Sequence, residues 1–225
     1  MFDKLKEMFS YENLFDQAYE TTITMLEFDH KMFLDSVQAL RESDTSELPY
    51  DFKEADRKIN KFEREVRRNI LTHIAISRPQ DMVPGLVLVT IVIDVERIGD
   101  FCKNISEIAT ARKERLGAGE YEERLFEIER SIKEHFPAVI ELLKTNDRDK
   151  ASVFVAKEPI IAKKAESILI DMISAARTEC CSPDLVRLTL YVRYLKRINA
   201  HLTNIASSVV NPFPRIGFRQ KQTTD

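Results

Sequence analysis

The fold of this chain is indicated most clearly by the sequence IVIDVERIGDFCKNISEIA, residues 91–109. Drawn as a helix, the stretch has two lines of side chains, because residues three and four apart share a face. The apolar line predicts a buried seam and consists of Ile91, Ile98, Phe101, Ile105 and Ile108. The polar line beside it consists of Glu96, Asp100, Asn104 and Glu107. Carboxylates beside a buried seam are costly unless a cation, a ligand or a partner compensates them, so this helix is a candidate site.

The preceding run, LVLVTIVI at residues 86–93, has the β-branched composition of a buried strand. However, its apolar residues continue the three-four spacing into the acidic stretch, and a lone strand would have no partner. We therefore predict one long helix that includes this run. Asp81 is the expected N-cap, and Pro84 lies within the first turn, where a missing N–H does no harm.

The rest of the chain is also predicted to be helical. Only 5 Gly and 8 Pro occur, while charged residues reach 32%, which favours long helices over a turn-rich fold. Bends are expected at Pro137 and Pro159. The six predicted helices cover residues of about 11–42, 52–76, 82–109, 120–144, 150–179 and 183–210.

A short motif recurs in the two halves of the chain. RIGDFCKNI at residues 97–105 matches RINAHLTNI at residues 197–205, with Arg, Ile, Asn and Ile in register at an offset of 100 residues. The repeat predicts an all-α fold of two tandem, pseudo-repeated three-helix bundles. We expect the first bundle in residues 1–117, the second, with a degraded motif, in residues 118–211, and a disordered tail in residues 212–225.

Composition narrows the classes of function. The net charge is -3, and the basic residues are spread among acids in the sequence, so no nucleic-acid partner is expected. Three cysteines cannot build a disulfide framework, which favours a reducing compartment. The longest apolar run, residues 86–93, is far shorter than the roughly 20 residues that span a bilayer. With a charged rather than apolar start, the chain is expected to be cytoplasmic.

The sequence DVERIGD at residues 94–100, followed by Asn104 and Ile105, resembles the Glu/Asp-rich signature of the PhoU family, bacterial and archaeal regulators of phosphate uptake. The resemblance extends over about residues 11–211 through helix order and length. It implies a homodimer that tunes phosphate transport by contact with a membrane transporter component and, in bacteria, with a sensor histidine kinase. It also implies metal ions bound by acids of the third helix and a neighbouring helix.

A second polar line runs along the predicted second helix, spaced four, three and four, and consists of Asp56, Asn60, Glu63 and Arg67. If that helix lies antiparallel beside the acidic one, four carboxylates meet. These are the hard oxygen ligands preferred by magnesium, manganese, calcium or iron. The predicted metal ligands are therefore Asp56, Glu63, Glu96 and Asp100.

The second motif departs from the signature. Lys196 replaces the acid before Arg197, and Ala200 replaces the Asp. A cation site is therefore not expected in the second bundle, and the alternative there is an anion held by Lys196 and Arg197.

Two alternatives to a metal-binding regulator stay open. In the first, a metal-free helical adaptor uses the acidic line as a charged surface, with local pairs such as Asp94 with Arg97 and Asp100 with Lys103. The second is a ferritin-like di-iron oxidoreductase, because Glu27 and His30 form half of its Glu-x-x-His signature. No other histidine has Glu three residues before it, and no phosphate loop or activated nucleophile is visible. We therefore expect no enzyme activity.

Overall fold

The computed structural model describes residues 14–76, 82–112, 114–175 and 183–218. Within these ranges the regular structure is helical, with six long helices and two short 3₁₀ turns, which confirms the predicted all-α fold. The helices are α1 (Leu14–Arg41), α2 (Phe52–Ile76), α3 (Met82–Thr110), α4 (Glu122–Thr145), α5 (Arg148–Ala175) and α6 (Pro183–Val210). The predicted Asp81 cap and the predicted helical residues 11–13 and 176–179 lie outside the described residues.

The helices form two bundles that share one interface. α1, α2 and α3 pack on one another, as do α4, α5 and α6, and the bundles meet where α3 contacts α6 and α1 contacts α4. α3 and α6 are antiparallel, because Phe101 faces Tyr194 at 5.7 Å between ring centroids while Arg187 near the start of α6 reaches the Ala111 carbonyl after α3. The two motif helices therefore lie side by side at the centre of the molecule.

The strand-like run at residues 86–93 is helical, as predicted. Leu88, Ile91 and Val92 are buried, and α3 packs against α1, α2 and α6. A helix enclosed on several sides needs apolar side chains around much of its circumference. Leu86 and Ile93 remain exposed, so this packing accounts for only part of the strand-like composition of the run. Within the described residues, no helix is long and apolar enough to span a bilayer.

A buried ionic network ties the first bundle to the second. Arg41 Nε at the end of α1 donates to Glu129 Oε1 of α4 at 3.0 Å, and both side chains are only 8% exposed. Arg41 also hydrogen-bonds the Leu116 carbonyl and Glu122. The Tyr191 hydroxyl of α6 donates to the same Glu129 oxygen at 2.7 Å. The Glu129 carboxylate therefore connects α1 of the first bundle with α4 and α6 of the second.

The prediction of a disordered tail is wrong for residues 212–218. The chain turns back on α6 through a 3₁₀ turn at Phe213–Arg215. Asn211 Nδ2 donates to the carbonyls of Arg215 at 2.9 Å and Phe218 at 2.7 Å. The Gly217 N–H donates to Ser207 Oγ at 2.7 Å, with a φ of 81° that glycine adopts readily. These hydrogen bonds give the turn backbone fixed partners.

Candidate metal centre

The polar lines predicted on α2 and α3 face each other across the groove between these helices. Ile59 of α2 and Ile98 of α3 are both buried, and the Ile59 side chain lies against Gly99 of α3. The side chains of Asp56, Glu63 and Glu96 are mostly buried, and that of Asp100 is 31% exposed. Glu96 is close enough to Glu63, Asp100 and Asp56 for their charges to act on it.

Basic side chains occupy the cluster. Lys103 Nζ lies 2.5 Å from Asp100 Oδ1 and 3.4 Å from Asp56 Oδ2, which confirms the predicted pair of Asp100 with Lys103. Arg67 Nη2 lies 3.0 Å from Glu63 Oε1. Among the described residues, no group of three or more His, Cys, Asp or Glu side chains has the geometry to hold a metal ion. The carboxylates share a groove, but they do not converge on one point.

Asp29 of α1 is a buried member of the cluster that the sequence reasoning missed. Its exposure is 0%, and neither carboxylate oxygen has a hydrogen-bond partner among the described residues. Burial raises the pKa of Asp29 well above its ordinary value, and the charges of Glu96 and Asp56 raise it further. The available signal was its position on the buried stripe of α1, between Met25 and Met32. An unpartnered buried carboxylate close to other acids is typical of a site that takes a cation.

Gly99 makes room for Asp29. A Cβ on Gly99 would lie 2.8 Å from Asp29 Oδ1 and 2.5 Å from Ile59 Cδ1. Any larger residue would therefore displace the Asp29 carboxylate or the α2 contact. The small size of Gly99 therefore lets α1, α2 and α3 approach one another closely around the Asp29 carboxylate.

The electrostatics of the cluster favour added positive charge. The pKa of Glu96 is raised by burial and by repulsion from Glu63, Asp100 and Asp56, although Arg97 lowers it. Burial lowers the pKa of Lys103, but its hydrogen bond to Asp100 and the two carboxylate charges raise it overall. The donor set of carboxylate oxygens suits Mg²⁺, Mn²⁺, Ca²⁺ or iron. The fit to the predicted metal thus lies in the chemistry of the donor set and in the unpartnered Asp29 carboxylate, not in an arrangement of the described carboxylates around one point.

The equivalent region of the second bundle contains neutral and paired groups. Lys196, at the position of Glu96, forms an ion pair with Glu166 of α5. Asn199, at the position of Gly99, shares a hydrogen bond of 2.9 Å with His135 Nδ1 of α4. Burial lowers the pKa of His135, which favours the neutral ring. The Lys196 ammonium, considered above for an anion site, already has a carboxylate partner.

The predicted pairing of Asp94 with Arg97 is wrong. Asp94 Oδ1 instead lies 2.6 Å from His201 Nδ1 and accepts a hydrogen bond from Asn204 Nδ2 at 3.1 Å, both on α6. Arg97 lies beside Glu96, with 3.6 Å between Nε and Oε2. Asp94, which interrupts the apolar line of α3, therefore binds to α6 and contributes to the contact between the two bundles.

The half-signature of a di-iron site does not form a site. Glu27 Oε1 accepts a hydrogen bond from Lys144 Nζ at 2.8 Å on the surface. The His30 ring stacks on Phe136 of α4 at 5.0 Å between centroids. The two residues therefore make separate contacts between α1 and α4, and the geometry does not favour the oxidoreductase alternative.

The fold and the acidic groove together define an all-α protein of two packed three-helix bundles, with a carboxylate-rich first bundle. Residues 22–109 match the family model described as the PhoU domain. This part of the chain is therefore similar to the PhoU domain, and the resemblance identified from residues 94–105 is confirmed. A comparison with curated proteins gives no sequence match.

Two solved structures share the architecture. The first is the phosphate transport system regulatory protein PhoU from Streptococcus pneumoniae, with a TM-score of 0.77 and 16% identity over 88% of this chain and 94% of that one. The second is PhoU from Pseudomonas aeruginosa, with a TM-score of 0.79 and 20% identity over 88% of this chain and 96% of that one. Both matches extend the shared fold across the two bundles.

Proposed function

We propose that the chain is a PhoU-like regulator of phosphate uptake that acts by contact with a membrane phosphate transporter component. The observation that carries the proposal is the PhoU-domain match over residues 22–109, which contains both acidic lines and Asp29. The proposal places the protein in the cytoplasm as a homodimer and, in a bacterial host, includes contact with a sensor histidine kinase.

We further propose that the first bundle binds metal. Asp56, Glu63, Glu96 and Asp100 are the proposed ligands, and the buried Asp29 beside them adds a fifth carboxylate. A bound divalent cation would supply positive charge that offsets the repulsion among these acids. Because the acids belong to α1, α2 and α3, such charge would strengthen the contacts among all three helices.

The outer face of α2 is the proposed contact surface for the transporter component. α2 packs on α1 and α3, and its opposite face is exposed. Arg57, Lys61, Arg64 and Arg68 are exposed and follow one another at four, three and four residues, so they form a basic line. The basic residues are spread among acids in the sequence, but helical spacing brings these four onto one face of α2.

The basic line stands out against the composition of the chain. α2 has seven Lys and Arg against four Asp and Glu, whereas the whole chain has 34 against 37. Within the described residues, Lys61, Arg64 and Arg68 have no ion pair with an acid, while Arg57 lies 3.9 Å from Asp51 Oδ2. Unpaired surface cations suit an acidic protein surface.

The test is complementation in the native host. Deletion of the gene is expected to alter phosphate uptake, and the wild-type gene is expected to restore it. The double variant R64E/R68E should fail to restore regulation while the protein keeps its fold, because the contact surface changes sign. Uptake that is unaffected by the deletion would contradict the proposed function.

The alternative of a metal-free adaptor is favoured by one observation, the occupation of the groove by Lys103. The variant E96Q/D100N separates the two versions. Full complementation by this variant, together with wild-type protein that binds no metal, would support the adaptor.

A further inference from the structure

We propose that Lys103 is the built-in counter-ion of the metal centre: its ammonium group holds Asp56 and Asp100 together in the metal-free protein and must leave when a metal binds. Lys103 would thereby set the metal affinity of the site. This inference rests on the proposed metal binding of the first bundle and adds to it a residue that opposes the metal.

The position of Lys103 carries the argument. Lys103 and Asp100 are one helical turn apart on α3, while Asp56 belongs to α2, so the ammonium bridges the two helices. Two of the four predicted ligands are therefore bound to a cation already. A metal ion that uses Asp56 and Asp100 must replace these interactions, and its net binding free energy is reduced accordingly.

The Lys103 ammonium can also move away from the two carboxylates into solvent. The Lys103 side chain is 20% exposed, and the flexible stem of a lysine can carry its charged end into water while the methylenes stay packed. Lys103 can therefore leave the carboxylates without a movement of the α3 backbone.

Lys103 leaves part of the cluster uncompensated. Within the part of the chain that the structure describes, both oxygens of Asp29 and Oδ1 of Asp56 are buried without a hydrogen-bond partner, although the lysine pairs with Oδ2 of Asp56. The single ammonium group of Lys103 therefore compensates the carboxylates near Asp100 but leaves the buried oxygens of Asp29 and Oδ1 of Asp56 without a cation. A divalent ion brings twice the charge and accepts several oxygen ligands, so it can replace the lysine.

The second bundle provides an internal comparison. The residues at the positions of Glu96, Asp100 and Lys103 are Lys196, Ala200 and Thr203. In the second bundle the lysine, Lys196, is part of the motif itself and forms an ion pair with Glu166 of α5. Both bundles thus place a lysine of the third helix against an acid of the second helix, but only the first bundle keeps further acids that a metal could use.

The test is calorimetric titration of Mn²⁺ into metal-free wild type, K103M and the matched control K196M. K103M keeps a similar length and removes the charge, and we expect it to bind Mn²⁺ about tenfold more tightly, a change of about 1.4 kcal/mol. K196M removes the corresponding lysine of the second bundle and should bind Mn²⁺ like wild type. K103Q serves as a second neutral variant if K103M does not fold.

A second measurement follows the lysine itself. Acetylation of Lys103 by a small reagent, measured by mass spectrometry, should increase when Mn²⁺ is added, while that of Lys61 on the exposed face of α2 should not change. Equal Mn²⁺ affinity in wild type and K103M would overturn the role of Lys103 and leave the metal site standing. Absence of Mn²⁺ binding in every variant would overturn the metal site and this inference together.

Discussion

Asp94 of α3 and His201 of α6 are joined across the two bundles, with 2.6 Å between Oδ1 and Nδ1. Asn204 donates to the same oxygen, and the Asp94 and His201 side chains are mostly buried. D94A removes the acceptor of two donors, and an unsatisfied buried polar group costs about 1 to 3 kcal/mol. We expect a loss of that size in the free energy of unfolding, measured by urea denaturation. A loss below about 0.5 kcal/mol, the range of ordinary surface changes, would contradict the role of this contact.

Glu129 is expected to be still more sensitive to substitution. Its carboxylate serves both Arg41 and Tyr191 in a buried position. E129L removes the buried partner of both side chains, while Arg41 keeps Glu122 and the Leu116 carbonyl. Breaking a buried ion pair costs about 3 to 5 kcal/mol, and we expect the lower end of this range because Glu122 still compensates Arg41. E134A is the matched control, because the exposed Glu134 lies only at the distance limit of an ion pair with Arg130, 4.0 Å. Equal stability of the two variants would show that the network is not needed.

Gly99 and Gly117 make a paired prediction about packing. A Cβ at Gly99 would collide with Ile59 and Asp29, whereas one at Gly117 would have no atom of the described residues within 4 Å. G99A should destabilise the protein by about 1 to 3 kcal/mol, the usual effect of overpacking. G117A should be neutral or slightly stabilising, because alanine restricts the unfolded chain. The comparison uses urea denaturation of the metal-free proteins, and equal effects would contradict the tight approach of α3 to Asp29.

The pH dependence of stability should report on Asp29. Its pKa is raised in the folded protein, so between the unfolded and the folded pKa values the folded state binds more protons than the unfolded state. The stability of the metal-free protein therefore falls as the pH rises through this window. D29N cannot ionise and should lose that part of the slope, so its advantage over wild type grows from pH 4 to pH 7 in the presence of a chelator. A constant difference between the two proteins across this range would be evidence against a strained Asp29 carboxylate.

The sequence predicted the local features of the site and missed those that depend on tertiary packing. Asp100 and Lys103 are three residues apart, so helical spacing alone predicted their ion pair. Asp94 was assigned to Arg97 for the same local reason, but its partners are about one hundred residues away on α6. No spacing rule reaches that far, because the packing of α3 on α6 decides which side chains meet.

Asp29 and the basic line of α2 illustrate two further limits of local patterns. The position of Asp29 on the buried stripe of α1 was visible, but its neighbours Glu96 and Asp56 become apparent only when three helices are assembled. The basic line, by contrast, lies within one helix and was available from its spacing. The net charge of the whole chain does not reveal it, because that charge averages over every face of every helix.

The most direct test of the central claim is the Mn²⁺ content of the purified protein after equilibrium dialysis, compared between wild type and the double variant E96Q/D100N. The Gln and Asn side chains have nearly the same size as Glu96 and Asp100 but carry no charge, so the variant lacks two of the proposed carboxylate ligands. We predict that wild type retains Mn²⁺, that the double variant loses it, and that K196M retains as much as wild type, because the site belongs to the first bundle. Equal Mn²⁺ content in wild type and E96Q/D100N, or none in either, would contradict a metal centre in the groove between α2 and α3.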